Sequence, residues 1–336
     1  MVFGIVEGFY MILKDKSIFY AKGVSHPPKK LVAFPKYVPS PSGDRVHSSG
    51  FRYLKIPGVD AEMDYVKKHY PHYIVYDDYF CRSVPMIPLS DVEMVLNPVE
   101  KAKEILNSTR VVDGVINDIR DFLVLASEIG GVRNIGVSGS VLAGLHKSDS
   151  DIDVVVYGFE DSIKMYRFLS DAINDCNLGF SKYSRESLHK LYRERIAETP
   201  IPFEKFVEVE SRRVLEGFFK GREYFVRLVK EPDKDDVYGV YKCRKIGVAT
   251  LRLRIEDDSQ AIYTPCRYKV HVEDVVSGVK ANVEEVYSLR GRFNEIAKKG
   301  EVALARGSVE LLEYGSGMQK YRLYIGDPGD FIYPIR

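Results

Sequence analysis

Between residues 135 and 157 the chain reads IGVSGSVLAGLHKSDSDIDVVVY, a string with few structural solutions. An apolar run at 135–137 halts at Gly139-Ser140, a short stretch follows, and Asp151-Ile152-Asp153 leads into three consecutive valines. That order predicts a buried strand, a short helix from Gly139, and a second buried strand from Asp151 to Tyr157. Side chains alternate along a strand and residues advance by about 3.3 Å, so Asp151 and Asp153 share one face with backbones about 6.6 Å apart. Two convergent carboxylates suit Mg²⁺, a hard cation that prefers oxygen ligands and usually shares them with phosphates. Gly139 permits close backbone approach, and the first amides of the following helix offer free N–H groups to an anion. A metal site and a polyphosphate site are thereby expected side by side.

Composition narrows what surrounds this string. With 336 residues the chain has length for about two or three domains, each with its own core. The 45% apolar and 29% charged fractions exclude long disorder, collagen and dense disulfide scaffolds. Lys plus Arg (49) nearly cancel Asp plus Glu (48), so no global positive field marks a general nucleic-acid binder or a membrane-surface protein, although a local basic groove stays open. The cysteines, Cys81, Cys176, Cys243 and Cys266, form no C-x-x-C pair, which argues against a zinc finger, a thioredoxin-type site or a secreted disulfide framework. The expected compartment is a reducing cytoplasm. Glu7 and Gly8 interrupt the apolar N-terminal residues, so neither a signal peptide nor a membrane span is expected there. Glutamine occurs only at Gln260 and Gln319 while Lys, Arg and Glu abound, a bias found in proteins of hot environments.

Texture along the chain predicts an α+β protein: a central α/β domain with a mixed sheet, flanked by two β-rich domains. Residues 1–96 read mainly as short aromatic and β-branched strands, with one helix over 60–69. After Asn97-Pro98 helical spacing appears at 99–106 and again at 111–129, where Val112, Val115, Ile116, Ile119, Phe122, Leu123 and Ala126 form one stripe that Gly130-Gly131 ends. A further helix over 161–174 follows the second strand of the opening string. Residues 184–195 and 203–219 read as helices and 224–229 as a strand. From 236 to 336 short β-prone runs return, with one helix near 289–298. Boundaries therefore fall near 96 and 236, delimiting segments 1–96, 97–235 and 236–336.

The central string resembles the nucleotidyltransferase superfamily related to DNA polymerase β, whose signature is an apolar residue, Gly-Ser, a gap of about ten residues, then Asp-apolar-Asp. Val137-Ser138-Gly139-Ser140 and Asp151-Ile152-Asp153-Val154 supply that signature, and the wording over 148–153 is close to the small stand-alone members. The flanks at 23–28 and 259–265 are similar to those of uncharacterised archaeal predicted nucleotidyltransferases. The resemblance implies transfer of a nucleoside monophosphate from a nucleoside triphosphate to an acceptor hydroxyl, with RNA, a protein or a small molecule as candidate acceptors. It implies Asp151 and Asp153 as ligands of Mg²⁺ or Mn²⁺, and Gly139 and Ser140 as grips on the β and γ phosphates. Two departures stand out. Ala143 occupies a position where many small members carry Arg, so basic help to the phosphates falls to Lys147, His146 or another group. A third carboxylate is expected on the strand at 223–229, but Phe225 stands two positions before Arg227, leaving Glu223, one pleat away on the same face, as the candidate. Phe225 supports a second reading, a catalytically inactive domain that binds nucleotide or RNA.

Plainer readings exist for the other features. Lys182, Arg185, Lys190, Arg193 and Arg195, interleaved with Tyr183 and Tyr192, form either a nucleic-acid contact or a solvated helix face, and the second is the commoner case. The C-terminal strands could close an oligonucleotide-binding type barrel with Arg252, Arg254, Arg267 and Lys269 on a basic face, or place those residues on an ordinary solvent face. No H-E-x-x-H, G-x-S-x-G or Walker motif is present.

Overall fold

A computed structural model describes residues 4–108 and 113–335. Their contacts divide the chain into two compact units: Met1–Asp77 with Arg82–Ser181 and Leu215–Asp236, and Asp78–Cys81 with Lys182–Val214 and Val237–Arg336. The described residues form an α+β fold with strands in three sheets. None of their helices is long and apolar enough to cross a membrane.

The first unit holds two sheets. In the larger, the strand Tyr10–Leu13 pairs antiparallel with Ile18–Ala21 and with Val92–Leu96. The long strand Lys30–Pro39 pairs with Ile18–Ala21, with Arg52–Lys55 and with Arg82–Pro88. The helix Gly58–His69 buries Val66 and Glu62. A buried carboxylate needs partners, and Glu62 accepts hydrogen bonds from Tyr20 Oη at 2.8 Å and Lys36 Nζ at 2.9 Å.

The smaller sheet carries the opening string of the sequence. Its strand Ile152–Tyr157 lies between Ile135–Val137, antiparallel, and Arg222–Val229, parallel, which explains the uninterrupted valines: neighbours flank them on both sides and residues 154–157 are all buried. The helices beside it begin where capping chemistry permits. Asn97 Oδ1 accepts from the amide of Val99 at 2.9 Å, and Asp113 Oδ1 from that of Ile116 at 3.0 Å. The helix Gly114–Glu128 buries Val115, Ile119, Phe122, Leu123 and Ala126, the predicted stripe; residues 111 and 112 of that stretch lie outside the described residues. Phe122, Phe180, Phe219 and Tyr224 meet edge-on or tilted in the core beneath, with ring centroids 4.6–5.7 Å apart.

In the second unit the strand Tyr241–Asp257 pairs with both Cys266–Gly278 and Val302–Tyr314, and the circuit closes through Val283–Ser288 and Gln319–Tyr324, the last two parallel. Five strands thus form a barrel, and Phe331–Ile335 adds to its Val302–Tyr314 edge. Ala249, Leu251, Leu253, Tyr268, Val286, Val309 and Leu323 are among the residues that fill it. The four basic residues expected on a basic face all sit in ion pairs: Arg252 and Arg254 with Glu273, Arg267 with Glu285, and Lys269 with Glu256. Three carboxylates thereby offset most of their positive charge.

Two predicted helices differ from the structure. The helix expected over 203–219 ends at Glu210, and Glu216–Phe219 is a strand. Gly217 sits against the Ser181 carbonyl and the Tyr224 ring, an approach that any Cβ would block. The helix expected near 289–298 is a single 3₁₀ turn, Gly291–Phe293. Asn294 is already extended, with ψ 147°, and Glu295 follows at φ 62°, so the winding does not resume; the Glu295 carboxylate accepts from the amide of Val214 at 2.9 Å.

Candidate functional site

A cleft of about 290 Å³ opens in the first unit, lined by Gly139, Asp151 and Asp153 from the smaller sheet's loops and strand, and by residues of the N-terminal strands. Gly139 has φ +62°, and a Cβ there would overlap the Asp153 carboxylate. Glycine is needed on both counts, for the left-handed backbone and for the space. Ser138 fixes the loop: its amide donates to the Asp153 carbonyl at 2.8 Å and its hydroxyl to the Gly8 carbonyl at 2.8 Å.

Asp151 is exposed and Asp153 half-buried. Burial, reinforced by the charge of Asp151, pushes the Asp153 carboxyl up to about 6 against the pull of Lys55 and Lys36. That mutual repulsion is what a bound cation would relieve. Two hard oxygen donors at a cleft mouth, with the space above them kept clear by a glycine, fit Mg²⁺ or Mn²⁺.

Opposite the carboxylates stand cations that no local motif announced. Lys22, Lys36, Lys55 and Arg227 all line the cleft. Lys36 is held by Glu62, whereas the Lys55 ammonium has no ion-pair partner among the described residues. Burial, and then Lys36 and Arg45, lower the Lys55 pKa. Glu7, fully buried, pairs with Lys22 at 3.2 Å and with Arg227, and accepts from the Gly23 amide at 2.5 Å. Tyr157 Oη donates to the Glu7 carbonyl at 3.0 Å, so the Glu7-Gly8 turn is bound to the smaller sheet by side chain and backbone alike. Tyr10 and Tyr20 complete this wall, and burial raises the Tyr10 pKa so that its phenol stays protonated.

The sequence candidates are placed unequally. Gly139, Asp151 and Asp153 come together in the cleft. Ser140 lies in the short helix Gly139–Leu142 and is not among the lining residues. Lys147 reaches Asp44 with its ammonium, outside the lining, and His146 Nε2 faces Asp113 Oδ2 at 2.8 Å. On the parallel neighbour strand Phe225 is in register with Asp153, and Phe225 and Arg227 line the cleft. Glu223 is two residues nearer that strand's start, on the same face but outside the lining. Arg227 stacks over the Phe225 ring at 5.0 Å.

Residues 119–215 match the family model described as a nucleotidyltransferase domain. The chain carries a nucleotidyltransferase domain. It lies in the middle of the sequence, with β-rich regions on both sides. Over 318 residues the chain is 26% identical to an uncharacterized protein of Methanocaldococcus jannaschii, MJ1086, covering 92% of this chain and 91% of that one. No solved structure matches. The domain match includes the glycine and both aspartates of the cleft but stops short of Phe225 and Arg227, and Lys22, Lys36 and Lys55 precede it.

Proposed function

We propose that the cleft binds a nucleoside triphosphate with Mg²⁺ or Mn²⁺ and serves transfer of the nucleoside monophosphate to an acceptor hydroxyl on RNA, a protein or a small molecule. The observation that carries this reading is the meeting of Asp151 and Asp153 with Gly139 and four basic side chains in one cleft. Asp151 and Asp153 would hold the cation, which when bound supplies charge neutralisation to the phosphates and polarises the oxygens at the reacting phosphorus. The chain's own groups do the rest. Lys22, Lys36, Lys55 and Arg227 face the triphosphate with positive charge and Gly139 gives its backbone unobstructed approach, whereas Ser140 and Lys147 lie outside the lining of the cleft. Phosphoryl chemistry of this kind depends chiefly on position and electrostatics, which is what a preorganised wall of cations offers.

A second reading, a nucleotide-binding domain without transfer activity, is favoured by Phe225 alone. It is in register with Asp153 where a further carboxylate would complete an acidic cluster, and Glu223 is the acid that its own strand carries on that face.

Titration calorimetry with ATP, CTP, GTP and UTP, with and without Mg²⁺, tests the site against the Asp151→Asn/Asp153→Asn double variant. Metal-dependent binding of a nucleotide, lost in the double variant while the fold persists, supports it; unchanged binding in that variant overturns it. Incubation with α-labelled nucleotide and candidate acceptors then separates transfer from binding.

A further inference from the structure

We infer that Cys81, Cys243 and Glu310 form a binding site for a thiophilic divalent cation, Zn²⁺, in the second unit. Their ligand atoms all lie within 4.8 Å of one another, and all three residues are buried. Tetrahedral zinc with Zn–S near 2.3 Å sets neighbouring ligand atoms about 3.5 to 3.8 Å apart, so small side-chain adjustments close this trio around an ion. No spacing in the sequence announces the site, because its members come from three distant segments.

The backbone is arranged to bring them together. Cys81 ends the short excursion Asp78–Cys81 and holds φ +59°, a left-handed conformation uncommon for any residue other than glycine. The same excursion is tied to the barrel strand by the Cys243 amide, which donates to the Asp78 carbonyl at 2.6 Å. Tyr79, Tyr241 and Leu312 pack around the two thiols in a cluster separate from the barrel core. Cys266 offers a contrast: it is buried as well, but its thiol donates to the Phe293 carbonyl at 3.3 Å and it belongs to no such group of ligand atoms among the described residues.

Charge balance supports zinc in this setting. Arg322 Nε donates to Glu310 Oε2 at 2.8 Å and its Nη1 to Tyr241 Oη at 3.0 Å, so the carboxylate and guanidinium are neutral as a pair. Two thiolates neutralise one Zn²⁺, and the two thiol protons leave to solvent on binding. The loaded site therefore adds no net charge to a buried region, whereas a lone thiolate there would be costly.

Cobalt titration of the reduced, chelator-treated, full-length protein tests this. The expected result is a thiolate-to-cobalt charge-transfer band in the near ultraviolet and four-coordinate bands in the visible, saturating at about one equivalent and bleached by Zn²⁺. Cys81→Ser should lose the band, while Cys176→Ser, at an exposed cysteine, and the Asp151→Asn/Asp153→Asn variant should keep it. The wild-type spectrum is decisive even where a variant folds poorly. Absence of the band overturns the site, whether the thiols then react freely with a thiol reagent or a mass lower by two hydrogens before reduction shows a disulfide.

Discussion

Asp153→Asn should make the metal-free protein more stable. The wild-type carboxyl titrates at about 6 in the fold against 3.8 outside it, raised first by burial and then by Asp151. At about 1.4 kcal/mol per pH unit that difference is a ceiling of about 3 kcal/mol, and solvent in the open cleft reduces it to about 1 to 2 kcal/mol. The sign follows from proton binding. The folded state holds this proton more tightly than the unfolded state, so stability is lost as pH rises from about 4 through about 6 and stays lost above. Asparagine mimics the protonated form and escapes that loss. Calorimetric unfolding in EDTA at about pH 7.5 should show the variant melting about 2 to 8 °C higher, with the difference vanishing near pH 4. Saturating Mg²⁺ should reverse the order, since only the wild type gains from ligand binding. A variant no more stable than wild type at neutral pH, or equally favoured at pH 4, would refute the reasoning.

On the proposed reading the same carboxyl should make Mg²⁺ affinity pH-dependent, falling by about tenfold per pH unit below about 6, measured by calorimetric titration across that range. Gly139→Ala must place a methyl group on the Asp153 carboxylate in a left-handed backbone, so it should cost about 1 to 3 kcal/mol and abolish metal-dependent nucleotide binding, read by melting and by titration. Lys55→Ala should weaken Mg²⁺–triphosphate binding about three- to tenfold while changing stability by less than about 0.5 kcal/mol, because the ammonium has no ion pair among the described residues to lose.

What could be read from the sequence was what is local. The glycine and the two aspartates belong to one strand–turn–strand string, and alternation along the second strand dictates that both carboxylates face the same way. The valines after them announced a strand flanked on both sides, and the stripe at 115–126 announced the helix that covers it. The cations could not be read this way. Lys22, Lys36 and Lys55 lie on or beside strands of the larger sheet, and nothing in their spacing distinguishes them from solvated lysines until that sheet is placed against the smaller one. A trace existed at Glu7-Gly8, where an acid and a glycine break an otherwise apolar run; a buried acid requires a cationic partner, and it has two. The strand Arg82–Pro88 was hidden by its prolines, and the helix expected to run past Glu210 failed at contacts of Gly217 that no local pattern encodes.

The N-terminal lysines of the cleft give the N-terminal strands a part in the site. The carboxylates and the glycine of the cleft come from the smaller sheet, while three of its four lining lysine and arginine side chains come from N-terminal residues. Neither set suffices: two adjacent carboxylates alone repel a polyphosphate, and a lysine cluster alone has no means of holding a metal against it. Glu7 joins the halves, since it grips Arg227 of the smaller sheet and Lys22 of the N-terminal segment with one carboxylate, from a turn that Ser138 and Tyr157 hold through backbone carbonyls. Its burial leaves it no solvent to satisfy its charge, so the two cations are fixed in place by the cost of leaving it. The N-terminal strands are thereby a component of the cleft, and the proposed nucleotide site reaches well beyond the residues that carry its motif.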